Sequence, residues 1–90
     1  MKICLNMVVR DEESCIIRCL DSVKPFINSF CIVDTGSSDN TMELIYRWGL
    51  LHDVEGTLLQ RKWVDFSHNR NEAIELALEH HNPNYLFFLD

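Results

Sequence analysis

Apolar side chains alternate along Ile3 to Val9 and then run together. With its Ile and Val content the segment predicts a buried strand that ends in the charged cluster Arg10-Asp11-Glu12-Glu13. From about Asp11 the spacing changes. Ile16, Ile17, Cys19, Leu20 and Val23 share one helical face, Asp11 or Glu12 stands near the positive N-terminus, and the helix ends near Pro25. Ser29 to Val33 is a short apolar run that feeds Asp34-Thr35-Gly36-Ser37-Ser38-Asp39-Asn40, a loop dense in turn formers. Asp39 then suits the N-cap of a second helix carrying Met42, Leu44, Ile45 and Trp48, with Gly49 as its punctuation.

The stretch from Leu50 to Val64 is the least regular. Val54 to Leu59 reads as a third strand but carries a glycine and little alternation. Ser67 precedes a third helix with Ala73, Ile74, Leu76, Ala77 and Leu78 along one side, stopped by Asn82-Pro83-Asn84. Tyr85 to Leu89 is aromatic and apolar throughout, too short for a helix after Pro83, and is expected to be a fourth strand ending at Asp90. Strands alternating with helices predict an α/β fold, a Rossmann-like parallel sheet with helices on both faces. Ligands of such sheets sit beyond the carboxyl ends of the strands, so the polar residues at those ends carry the functional reading.

Length and charge narrow that reading. Ninety residues make one domain with one core. A formal charge of −6 argues against a surface that binds DNA or RNA backbones, yet leaves room for a small anionic ligand held by one or two arginines. No apolar run approaches the roughly 18 residues of a membrane span and the amino terminus lacks a signal-peptide pattern, so no integral membrane segment and a cytoplasmic location are expected. Cys4, Cys15, Cys19 and Cys31 each lie in an apolar pattern and read as buried free thiols. Cys15 and Cys19 share a helix face but lack the companions of a zinc site. His80 and His81 read as solvated neighbours of a helix C-terminus.

Three strand ends then supply candidate chemistry. Asp34 suits the hydrogen bonds of a nucleobase N–H, and Gly36, Ser37 and Ser38 allow close backbone approach; the plainer alternative is a turn closed by Asp34 with Asp39 capping the next helix. Arg70, at the start of the third helix, suits a phosphate or, equally, a surface pair with Glu12 or Glu72. Asp65, Asn69 and Asn71 surround it, and Trp63 and Phe66 are expected to pack the loop. Asp90 could meet a hard cation or simply end its strand.

Taken in order, Leu5 to Glu13, Cys19-Leu20-Asp21-Ser22-Val23, Ile32 to Thr41, Trp63 to Ala73 and Tyr85 to Asp90 resemble the opening of family 2 glycosyltransferases. The similarity covers nearly the whole chain. It implies the N-terminal, nucleotide-sugar-binding half of a GT-A fold, with Val8, Arg10, Glu12, Asp34, Gly36, Ser37 and Arg70 around the nucleotide and Asp90 opening a DxD-type metal motif. The activity implied is transfer of a sugar from a nucleotide diphosphate donor, usually UDP-linked, to an unknown acceptor, with Mg²⁺ or Mn²⁺ as Lewis acid. Two departures stand out: Arg10-Asp11-Glu12 replaces the usual Asn before Glu, and only the first Asp of the metal motif is present. No catalytic residue is therefore expected within the chain, which should not turn over alone. Self-association through an apolar strand-four edge is expected instead. The alternatives are a non-catalytic nucleotide-binding or interaction module and a nucleotidyltransferase; the latter calls for a Gly-rich basic loop where Arg10-Asp11-Glu12-Glu13 stands.

Overall fold

The computed structural model describes residues 1–89. Four strands form where the apolar runs require burial: β1 (Ile3–Val9), β2 (Ser29–Asp34), β3 (Glu55–Gln60) and β4 (Tyr85–Phe88). They make one sheet in the order β3-β2-β1-β4, and every pairing is parallel. Parallel neighbours need crossovers. These are supplied by α1 (Ile16–Val23), α2 (Thr41–His52) and α3 (Phe66–His81). After β3 the chain returns across the sheet to place β4 beside β1, so strand order reverses between β1 and β4. This is the arrangement the alternation predicts, a Rossmann-like parallel sheet with helices on both faces.

The two-residue period of the central strands sorts the core. Leu5, Met7, Val9, Phe30 and Ile32 join Ile16, Leu20 and Val23 of α1 and Ile45 and Trp48 of α2 in one apolar cluster. Cys4 and Cys31 turn to the other face and meet Ala77 of α3. Asn6, also buried, donates its side-chain amide to the carbonyls of Cys31 (3.2 Å) and Ala73 (2.9 Å). At the amino end of the sheet, Asn28 Oδ1 accepts from the Ile3 amide and Asn84 Oδ1 from the Lys2 amide, both at 2.8 Å, so the segments entering β2 and β4 pin the start of β1.

Several boundaries differ from the sequence reading, each for a physical reason. Gly49 does not end α2, which runs on to His52 and closes with Asp53 in the left-handed region. The glycine is instead a site of close approach: a Cβ there would lie 3.1 Å from the Phe30 ring. Gly56 faces the same ring across the β2–β3 pairing, and a Cβ on it would fall inside the phenyl group. Phe30 therefore occupies a slot between two glycines, which explains why β3 carries one.

Asn40, not Asp39, is the residue before α2, although the Asp39 carboxylate takes the Thr41 amide at 2.9 Å. α3 starts at Phe66 because Asp65 caps it, accepting from the His68 amide at 2.7 Å. Its buried residues are Asn69, Ala73 and Ala77, four apart, while Leu78 is exposed. Cys15 and Cys19 are half-buried rather than buried. His81 is not solvated: its side chain is 4% exposed, with Nε2 2.9 Å from Thr57 Oγ1 and Nδ1 3.8 Å from Glu55. Among the described residues, no helix is long and apolar enough to cross a membrane.

Candidate functional site

The loops that leave β1 and β2 at their carboxyl ends are tied to each other. Asp11 adopts φ 51°, in the left-handed region that Asn and Asp tolerate better than other side chains. That conformation lets its amide donate to Ser37 Oγ at 2.8 Å while its Oδ1 accepts from the Ser38 amide at 2.7 Å. The Glu12 amide donates to Thr41 Oγ1 (2.8 Å) and the Glu13 amide to Asp39 Oδ2 (3.2 Å). Asp11 thus combines a positive φ with a side-chain acceptor. Hydrogen bonds from Thr41 hold the Asp39 carboxyl below its ordinary range.

Asp34 is fully buried beneath this knot. Its Oδ1 accepts from the amides of Gly36 and Ser37, both at 2.8 Å, and its Oδ2 from the Ser37 hydroxyl at 2.6 Å. Gly36 sits at φ 113°, a conformation that side chains rarely adopt. Asp34, Gly36 and Ser37 therefore build a closed turn, and the buried carboxylate serves the loop's own donors.

Beside that turn lies a cleft of about 260 Å³, lined by Val8, Val9, Arg10, Glu12, Thr35, Trp63 and Phe66. A narrower crevice continues from it where strand order reverses, between Val8 of β1, Phe88 of β4, and Phe66 and Arg70 of α3. The Arg70 guanidinium lies 5.4 Å from the centre of the Phe66 ring and 4.7 Å from that of Phe88. Such placements over aromatic faces are attractive for a cation. Glu72, one partner considered for Arg70, pairs with Arg61 Nε at 3.5 Å.

The structure thus brings Val8, Arg10 and Glu12 to one cleft and Arg70 to its continuation, with Asp34, Gly36 and Ser37 shaping the neighbouring turn. A larger concavity, about 550 Å³, lies elsewhere, between the C-terminal part of α2 and the start of β3, and contains none of these residues.

Four residues that shape the cleft and its loop were not among the site residues expected from the sequence. Thr35 lines the cleft. Trp63 and Phe66, expected to pack the loop, stand 46% and 54% exposed along the cleft. Asn69 holds the loop in their place, donating from Nδ2 to the Lys62 carbonyl and accepting from the Val64 amide, both at 3.0 Å. Its fixed spacing from the Asp65 cap was the available signal.

Two of the thiols are held toward the protonated form. Hydrogen bonding to Glu12 pushes Cys15 up to about 11, and burial pushes Cys31 up to about 12. Asp90, the expected metal ligand, lies outside the described residues. Among those described, no group of three His, Cys, Asp or Glu side chains could hold a metal ion, and Asp11, Asp34 and Asp39 are committed to backbone and hydroxyl donors. They do not fit a cation site by themselves.

The crevice at the strand-order reversal, about 20 Å³, and the adjoining cleft lie at the carboxyl ends of the strands, where α/β proteins of this class bind ligands. The chain is distantly homologous to a glycosyltransferase over most of its length. It is 34% identical over 86 residues to glycosyltransferase SunS of Bacillus subtilis, described as SPbeta prophage-derived, and to the same protein of Bacillus phage SPbeta, covering 94% of this chain and 18% of theirs. It is also 39% identical over 77 residues to a TPR repeat-containing protein of Synechococcus elongatus, covering 84% of this chain and 18% of that protein. The chain therefore spans about a fifth of the length of these curated relatives. No protein-family model matches it.

Proposed function

We propose that the chain is the nucleotide-sugar-binding half of a GT-A, family 2 glycosyltransferase domain, taking a nucleoside diphosphate sugar, with UDP as the nucleotide, for transfer to an acceptor not identified by its residues. The observation that carries this reading is the cleft at the end of β1, with two aromatic side chains on its wall, Arg10 on its rim and Arg70 beyond Phe66. Apolar and aromatic walls with a few convergent charges suit a nucleoside, and a guanidinium suits a diphosphate. Homology to a glycosyltransferase over 94% of the chain supports the same class.

In this reading Val8, Arg10 and Glu12 face the nucleotide, and Arg70 lies on its diphosphate side. Asp34, Gly36 and Ser37 act through the turn they form. Asp90 is the residue assigned to a Mg²⁺ or Mn²⁺ ion, which as a Lewis acid stabilises a departing diphosphate. One carboxylate is not a site, and the diphosphate oxygens have to complete the shell. No residue of the chain is assigned catalysis. A cytoplasmic location and pairing of two copies along the outer edge of β4 belong to the same reading. Sedimentation that stays monomeric at high concentration removes the pairing.

The test is an amide-shift titration by NMR with UDP and, separately, GDP, each with and without Mg²⁺. Half a pocket is expected to bind at about millimolar affinity, roughly −4 kcal/mol. Shifts selective for UDP at Val8, Arg10, Ser37 and Arg70, weakened in Arg70→Ala, are the expected result. Equal responses to GDP remove the UDP assignment, and no response to either overturns the nucleotide reading. The relative named as TPR repeat-containing favours one second reading, a non-catalytic interaction module. Nucleotide binding without sugar transfer, in a protein spanning the whole length of the relatives, supports that module.

A further inference from the structure

One buried side chain grips the backbone on both sides of Trp63. Asn69 is fully buried, and its two bonds at 3.0 Å reach the Lys62 carbonyl and the Val64 amide. The turn is fixed a second time by Asp65, which accepts from His68 through its side chain at 2.7 Å and from the Asn69 amide through its carbonyl at 3.1 Å. A loop so restrained could have turned its largest ring inward. Instead the indole is 46% exposed, on the wall of the cleft that Val8, Val9 and Thr35 also line. The other indole, Trp48, behaves as an ordinary core residue: it is 3% exposed and donates to Asp21 Oδ1 at 2.8 Å.

The charges along the two crevices give the occupant a direction. Among the described residues, the cleft at Trp63 is lined by one cation, Arg10, and one carboxylate, Glu12. Past Phe66, the shared wall, stands Arg70. A ligand with a flat apolar end and an anionic end finds an aromatic surface at Trp63 and a guanidinium at Arg70, on either side of Phe66.

We propose that the Trp63 indole is the stacking platform for a nucleobase, with Asn69 as its positioning residue and the diphosphate directed toward Arg70. The proposal rests on the nucleotide reading given above and adds to it the residue that recognises the base. Aromatic stacking is tolerant of base identity because every base has a π-face. Trp63 therefore contributes affinity, while discrimination between bases falls to the polar groups around it.

The test follows the two indole N–H signals of the ¹⁵N-labelled chain, assigned with Trp63→Phe, during titration with UDP and with inorganic pyrophosphate. UDP is expected to move the Trp63 signal and leave that of Trp48 in place, whereas pyrophosphate moves neither. Trp63→Ala is expected to weaken UDP about ten-fold, the scale of one lost base stack, without changing pyrophosphate binding, and Trp63→Phe retains most of the affinity. Asn69→Ala is expected to raise acrylamide quenching of Trp63 and weaken UDP but not pyrophosphate. If that variant does not fold, the two substitutions at the exposed Trp63 decide the matter. UDP shifts at Val8 and Arg10 with a still Trp63 signal and unchanged affinity in Trp63→Ala overturn the stacking proposal and leave the nucleotide reading standing. Absence of any UDP response overturns both.

Discussion

The two faces of the sheet are held by different physics. Toward α1 and α2 the strands present Leu5, Met7, Val9, Phe30 and Ile32, which interlock with large apolar side chains from both helices. Toward α3 they present Cys4, Asn6 and Cys31, and the helix answers with Ala73, Ala77 and Asn69. Bulk burial of the first kind supplies large apolar area, whereas small side chains bring the helix close and hydrogen bonds then set its register. The face that holds Asn69 and Arg70, and so the cleft, is the one fixed by geometry rather than by volume.

The contrast breaks most visibly at Phe30. Phe30→Ala is expected to cost about 3–5 kcal/mol in urea unfolding, as emptied core aromatics do, with a cavity between Gly49 and Gly56 that nothing nearby refills. A loss below about 1 kcal/mol would mean that the apolar face has collapsed around the gap. Asn6→Ala tests the opposite face and is expected to cost about 1–3 kcal/mol by leaving the Cys31 and Ala73 carbonyls without its amide. Amide shifts should concentrate in α3, Arg70 included. If they spread instead through α1 and α2, the two faces are not independent.

His81 sharpens the contrast through pH. Burial against β3 holds its imidazole below the ordinary value of 6.5, outweighing the opposite pull of Glu55, while His80 lowers it further. The folded chain therefore binds this proton less readily than the unfolded one. Its stability is intact above about 6.5 and falls as pH drops through that value toward the lower folded one. In His81→Gln, which can keep the bond to Thr57, thermal unfolding between pH 7 and pH 5 is expected to show a smaller decline. An identical decline removes His81 from the acid response. The smallest effect belongs to neither face: Arg47→Ala breaks the exposed Glu43–Arg47 pair on α2 and should change stability by no more than about 0.5 kcal/mol.

The same contrast governs what could be read from the residues alone. β1, β2 and α1 were legible because bulky apolar side chains recur at periods that only a strand or a helix can satisfy. α3 was legible as a helix and most of its face was read: Ala73 and Ala77 are buried and Leu76 packs beside them, while Leu78 alone of the expected set points to solvent. Gly49 and Gly56 read as interruptions because their partner, Phe30, is distant in sequence and meets them only in the folded sheet. At the site, the ends of β1 and β2 were found from turn chemistry. Trp63 and Asn69 were noticed beside Arg70, but the grip of Asn69 on Lys62 and Val64 was not, because an asparagine in the first turn of a helix shows what it holds only once the loop has folded over it. The role of Asp34 divided in the same way: sequence offered both a ligand contact and a closed turn, and its carboxylate lies within the turn.

The slot around Phe30 also bears on how such a chain can change over generations. Alanine at Gly56 is barred while the phenyl ring is present, and a smaller residue at 30 leaves a void while both glycines remain. Each single step is penalised, but a paired step such as Phe30→Leu with Gly56→Ala restores the volume. The three positions are thereby expected to be inherited as a unit, and in a set of descendants they should vary together or stay as they are.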